Sequence, residues 1–208
     1  MKLVLVSGTG TEIGKTWWTV ATARALVDAG VQVAARKPAQ SYAPDEAGCT
    51  DAELLAQATG EPVHAVCPGH RWYEVPMAPP MAAVELGRPP FTLADLVREL
   101  EPDHDAAVMF VEGAGGPRSP LADDGDLVDL QALLRPDLVL LVADAGLGTI
   151  NAVRTSAAAL GNARVVVALN RYDDEQTLHR ANREWLERYG FDLVLEPGDL
   201  AQKLAANQ

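Results

Sequence analysis

The chain has 208 residues, 48% of them hydrophobic and 22% charged, and a formal net charge of -12. This is ordinary globular composition, which excludes a disordered polymer, and the acidic excess argues against binding nucleic acid or an anionic membrane surface. A chain of this length is expected to form one domain, residues 1–208, that buries enough surface to fold without covalent or metal staples. Its two cysteines, Cys49 and Cys67, form no CxxC pair, so neither a zinc site nor a thioredoxin-like motif is supported. Residues 3–6 are too short an apolar stretch for a signal peptide, and no apolar run reaches membrane-spanning length. A reduced, cytoplasmic protein is expected.

In chain order, apolar runs at 3–6, 31–35, 106–111, 138–143, 165–169 and 193–195 do not alternate with polar residues. Such runs predict strands buried on both faces of a parallel sheet. Helical patterns lie between them: 16–30 with a glycine stop, 51–59 before Gly60, one opening at Thr92 with Asp95 three residues on, then 126–134, 149–160 and 174–189. The alternation predicts a doubly wound α/β fold, a mostly parallel twisted sheet with helices on both faces and right-handed crossovers. Residues 62–90, rich in Pro, Gly and aromatics, are the least regular stretch, readable as a surface connection or as a substrate-binding segment.

The strongest chemical signal is the first run followed by GTGTEIGKT, residues 8–16. A buried strand, a glycine-rich turn and a helix in succession make a phosphate cradle, with loop amides and helix N-terminus facing an anion. Lys15 can reach terminal phosphates and the Thr16 hydroxyl suits Mg²⁺. The spacing is unusual: the first glycine is Gly8, with Thr9 at the customary position, so five residues separate the outer glycines. At the end of the 106–111 run, Glu112 precedes Gly113-Ala114-Gly115-Gly116, and a carboxylate there is either solvated or a partner of the loop's metal. The four lysines are Lys2, Lys15, Lys37 and Lys203. Lys37 closes the second predicted strand, where carboxyl ends line a ligand crevice. It is open there whether it is a ligand or a snorkelling surface residue.

Five blocks in order resemble the dethiobiotin synthetases: the nine-residue loop, Lys37-Pro38-Ala39-Gln40-Ser41, Pro76-Met77-Ala78-Pro79-Pro80, Val111-Glu112-Gly113-Ala114-Gly115-Gly116 and Gly146-Leu147-Gly148-Thr149-Ile150-Asn151. The resemblance covers about residues 1–170. It implies a phosphate-loop NTPase-like fold and a homodimeric, ATP- and Mg²⁺-dependent ligase of biotin synthesis. Its substrates would be 7,8-diaminopelargonic acid and CO₂, joined through a carbamate and a carbamic–phosphoric mixed anhydride. It further implies that Gly8, Thr9, Gly10, Thr11, Glu12, Ile13, Gly14, Lys15 and Thr16 hold the nucleotide, with Asn170 and Pro197 at the base. Lys15 and Lys37 would be catalytic, and Thr16, Asp51 and Glu112 would ligate Mg²⁺. Thr11, Lys37 and Ser41 would contact the substrate, as would Gly148, Thr149, Ile150 and Asn151 from the partner subunit.

The sequence departs from the family pattern at Tyr42, where glycine is usual, at Ala152, where many members carry His, and at Pro117-Arg118-Ser119-Pro120. The segment around Pro197 matches loosely. Trp17-Trp18 replaces small or aliphatic residues and reads as packing rather than ligand contact. A competing reading is a phosphate-loop switch that binds protein partners, but that class carries an extra loop lysine and a basic or amphipathic membrane tail. An amide ligase of the cobyrinate type would need an attached glutaminase region. A catalytically dead relative is disfavoured by the presence of Lys15, Thr16, Lys37, Asp51 and Glu112.

Overall fold

A computed structural model of the chain describes residues 1–45, 48–100 and 105–206. In order, the elements are β1 (Lys2–Gly8), α1 (Lys15–Asp28), β2 (Val33–Arg36), β3 (Gln40–Ser41), α2 (Asp51–Thr59) and α3 (Val63–Val66). Next come a 3₁₀ turn (Gly69–Arg71), β4 (Trp72–Tyr73), α4 (Pro79–Glu85), α5 (Leu93–Glu99), β5 (Val108–Glu112), β6 (Pro120–Ala122) and β7 (Gly125–Asp126). The chain ends with α6 (Leu127–Leu134), β8 (Leu138–Asp144), α7 (Thr149–Leu160), β9 (Val165–Asn170), α8 (Thr177–Arg188), β10 (Asp192–Val194) and α9 (Pro197–Ala205).

All six expected strands form, and they make one parallel sheet in the order β10-β9-β8-β1-β5-β2. The middles of its strands are apolar because both faces are covered. Val4 and Val6 pack into one core with Trp18, Phe110 and Leu140, under α1 and α9. Leu5 points to the opposite core with Met109, Val111 and Val139, under α5 and α6. The chain leaves β1 for β2, returns to β5, and then crosses to β8 on the other side of β1. The carboxyl end of β1 therefore lies where the connections diverge, the usual place for a ligand crevice.

Helix starts follow side-chain chemistry. Thr50 caps α2 with Glu53, Thr92 caps α5 with Asp95 and Asp126 caps α6 with Asp129, each a reciprocal capping box. The expected helix 174–189 begins later, at Thr177. Residues before it form a turn in which the Asp173 carboxylate accepts from the Glu175 amide and the Asp173 amide donates to His179 Nδ1. Residues 62–90 are more ordered than their composition implies: α3, the 3₁₀ turn, β4 and α4 lie there, and β4 pairs with β3 beside the crevice. Helix α9 was not expected. Pro197 opens it at the first helical position, where the missing N–H costs nothing.

Candidate active site

The loop from Gly8 to Gly14 follows β1 directly, and its shape explains the displaced first glycine. A Cβ on Gly8 would meet Ile13 Cγ2 at 2.6 Å and the Gly10 carbonyl oxygen at 2.8 Å, so only glycine fits there. Gly14 has φ of 97°, a left-handed conformation, and immediately precedes α1. Lys15 lies back over the loop and donates from Nζ to the Gly10 carbonyl at 3.2 Å. Burial and then the neighbouring Lys37 charge lower its pKa from the usual lysine value.

Beside the loop, four side chains from four elements converge. Lys37, directly after β2, is 3% exposed and donates to Asp51 Oδ2 and to Glu112 Oε1, both at 2.7 Å. Glu112, at the end of β5, is fully buried. The Thr16 hydroxyl lies 2.7 Å from Glu112 Oε1 and 2.8 Å from Asp51 Oδ1. Burial alone would depress the Lys37 ammonium, but the Asp51 and Glu112 carboxylates outweigh it and hold its pKa above the ordinary lysine value. The Lys37 charge in turn keeps the Asp51 carboxyl below the usual carboxylate range. Lys37 is therefore a buried, ion-paired residue, not a snorkelling surface lysine, and Glu112 is not a solvated acid.

The donor set fits a hard cation. The Thr16 hydroxyl has one proton and faces two carboxylate oxygens, so one of those two short oxygen–oxygen contacts has no proton from it. Two carboxylates and a hydroxyl suit Mg²⁺, which completes its octahedron with water and phosphate oxygens.

A cavity of about 630 Å³ opens over this cluster. Thr11, Glu12, Gly14, Lys15, Thr16, Lys37, Ser41 and Asp51 line it, together with Pro76–Pro79 of the formerly ambiguous 62–90 stretch. Ser41 Oγ donates to the Met77 carbonyl and ties that stretch to the wall. The sequence-predicted residues thus divide. The loop, the lysine block and the two acids come together in one subunit. Gly148, Thr149, Ile150 and Asn151 do not line this cavity; Gly148 caps α7, Thr149 is buried, and Ile150 and Asn151 line a separate surface groove, while Leu147 is 92% exposed. Asn170 lies beneath the loop, accepting from Trp18 Nε1 at 3.2 Å and donating to the Ile13 carbonyl at 2.9 Å. Pro197 is buried at the start of α9.

Some contributors carried no recognised signal. Thr19 Oγ1 lies 2.9 Å from the Lys15 carbonyl and 3.1 Å from Glu112 Oε2, bracing the buried acid from one turn along α1. The four-residue spacing from Lys15 was its available clue. Asn182 on α8 donates to the carbonyls of Ala145 and Gly146, both at 2.9 Å, and holds the turn that leads into α7. No local pattern marks it.

Sequence comparison finds relatives that match most of the chain. The ATP-dependent dethiobiotin synthetase BioD of Corynebacterium efficiens is 41% identical over 169 residues, 80% of this chain and 73% of that one. The BioD of Rhodococcus erythropolis is 38% identical over 192 residues, 88% of this chain and 82% of that one. The chain belongs to the dethiobiotin synthetase family. A family model described as AAA domain matches residues 2–195 of this dethiobiotin synthetase family member. Among solved structures it is similar to a cobyrinic acid a,c-diamide synthase from Mycobacterium smegmatis with bound ATP analog and magnesium. The TM-score is 0.54 at 16% identity, covering 100% of this chain and 93% of that one. A putative plasmid partition protein from Borrelia burgdorferi bound to AMPPNP gives a TM-score of 0.56 at 12% identity, covering 96% and 88%. At those identities the likeness establishes the phosphate-loop α/β fold alone. Among the described residues, no helix is long and apolar enough to cross a membrane.

Proposed function

We propose that this chain closes the ureido ring of dethiobiotin from 7,8-diaminopelargonic acid, CO₂ and ATP, in the cytoplasm. The observation that carries the reading is Lys37, a buried ammonium from a second strand aimed at the same crevice as the phosphate loop. Hydrolysis of ATP by water adds no second anionic reactant to the phosphates. A reaction in which a carbamate meets a phosphoryl group brings two anions together and needs a second cation.

One substrate amine adds to CO₂ and loses a proton, giving a carbamate. A carbamate oxygen attacks the γ-phosphorus, and ADP leaves with the electron pair of the broken P–O bond. The second amine attacks the carbonyl carbon of the mixed anhydride, inorganic phosphate departs, and a proton is released as the ring closes. In this reading Lys15 and the loop amides neutralise the phosphates. Lys37 stabilises the carbamate and the transferring phosphoryl oxygens. Thr11 and Ser41 orient the reacting end. Thr16, Asp51 and Glu112 would hold Mg²⁺, which supplies charge neutralisation on the phosphate oxygens when bound. The chemistry consists of positioning and electrostatics and needs no histidine or cysteine base, although the Cys49 thiol stands on the cavity wall. The pKa of Cys67, the buried thiol, is pushed up to about 12 by its burial, which leaves it inert.

The test is product formation from diaminopelargonic acid, bicarbonate and ATP. Dethiobiotin should appear with Mg²⁺, stop with a chelator and return when Mg²⁺ is restored. Turnover in metal-free buffer would remove the metal assignment, and absence of product with Mg²⁺ present would remove the activity.

We further propose a homodimer in which the turn before α7 completes the partner's site. Supporting it are the outward Leu147 and a groove lined by Ile150, Asn151 and Arg154 outside the catalytic cavity. Light scattering should give about twice 22.1 kDa. A strictly monomeric enzyme that turns over would show that the site is not shared.

A further inference from the structure

The paired tryptophans at the start of α1 do not share one role. Trp18 is 1% exposed, belongs to the core with Val4 and Val6, and donates to Asn170. Trp17 is 56% exposed and stands on the wall of the catalytic cavity with Glu12, Gly14 and Thr16. The expectation that both are packing residues therefore fails for Trp17. Its indole meets Trp18 in a T-shaped contact, with centroids 5.8 Å apart and planes at 81°, which leaves at least one of its faces free of that ring. A large exposed aromatic at a cavity wall is costly in water and gains by stacking.

Its position along the loop points to what it meets. The Trp18 amide makes the first backbone bond of α1, to the Gly14 carbonyl at 3.0 Å. The amides of Lys15, Thr16 and Trp17 precede that ladder and face a bound anion. The terminal phosphates lie toward the Lys37–Glu112 cluster, on the Thr16 side. The other end of the nucleotide would then leave past Trp17, which is exposed near the start of α1. Asn170, the residue expected at the base edge, is buried under the loop with both polar atoms engaged inside the protein.

We infer that Trp17 is the stacking wall for the nucleobase, so that the base is held by its π-face and not by its edge. This rests on the phosphate-site reading above and adds a consequence to it. Every base has a π-face, so the site accepts nucleoside triphosphates with little regard to which base they carry.

Calorimetric titration in Mg²⁺ buffer, with ATP, GTP, CTP and inorganic tripolyphosphate, tests this without substrate turnover. The wild type should bind the three nucleotides within about fivefold of one another. Trp17→Ala should weaken all three about tenfold and leave tripolyphosphate unchanged, while Trp17→Phe keeps most of the affinity. Unchanged nucleotide affinity in Trp17→Ala would overturn the inference, and so would a wild-type preference for ATP of about a hundredfold. An equal loss for tripolyphosphate would overturn it too, making Trp17 a support of the loop. A wild type that bound neither tripolyphosphate nor any nucleotide would remove the phosphate site itself, and this wall with it.

Discussion

Lys37→Gln is expected to lower the rate of ring closure at least about a hundredfold, the scale of losing one pre-aimed donor to a developing oxyanion. The ammonium is 3% exposed and touches both Asp51 and the fully buried Glu112, a position that a neutral amide does not fill with charge. The phosphate loop hangs from a different strand, so ATP affinity should stay within a few-fold. Removing one member of a buried ion pair also costs stability, roughly 3–5 kcal/mol when nothing compensates, so the melting temperature should fall. Lys37→Arg keeps the charge and separates the two effects. It should recover part of the stability and little of the rate, because a planar fork does not reproduce a compact ammonium. Dethiobiotin formation, a nucleotide titration and thermal unfolding together read the outcome. Normal product formation by Lys37→Gln would remove Lys37 from the chemistry.

The same cluster fixes the sign of its pH dependence. Lys37 has a raised pKa, so its contribution to stability is full below the ordinary lysine value and is lost as pH rises through the raised one. Asp51 has a depressed pKa, so its contribution is present above the ordinary carboxylate value and is lost as pH falls through the lower one. Neither residue titrates near neutrality.

Gly14→Ala is expected to abolish nucleotide and tripolyphosphate binding at concentrations where the wild type saturates. Two independent costs act at this position. A left-handed backbone costs a non-glycine residue about 1–2 kcal/mol. The new Cβ would also lie 2.3 Å from Asn170 Nδ2 and 2.9 Å from Asn170 Cγ. Asn170 cannot swing away without losing its bonds to the Ile13 carbonyl and Trp18. The loop must therefore move, and with it the amides that face the phosphates. Adding Asn170→Ala to Gly14→Ala removes the clash and leaves the backbone cost, so the double variant should regain part of the affinity. Calorimetry on the three proteins measures this. Wild-type affinity in Gly14→Ala would show that the loop tolerates the displacement.

Much of this molecule is written locally. The six strands are legible because each is a short apolar run with no alternation, a pattern that only burial on both faces sustains. The helix at 51–59 and the one opened by Thr92 are legible because their ends carry glycine or capping chemistry. The loop at 8–16 is legible because glycines, lysine and threonine must follow one strand at close spacing to meet phosphate. Other features were decided only by tertiary packing. Residues 62–90 read as irregular because prolines and glycines punctuate them. They nevertheless form one wall of the cavity because β4 pairs with β3 and Ser41 holds the Met77 carbonyl. The pairing of Lys37 with Glu112 spans 75 positions and exists because β2 and β5 are neighbours in the sheet. The division between Trp17 and Trp18 could not be read from two identical adjacent letters. Successive residues on a helix point about 100° apart, so one indole enters the core and the other faces the cavity, and only the position of α1 on the sheet says which.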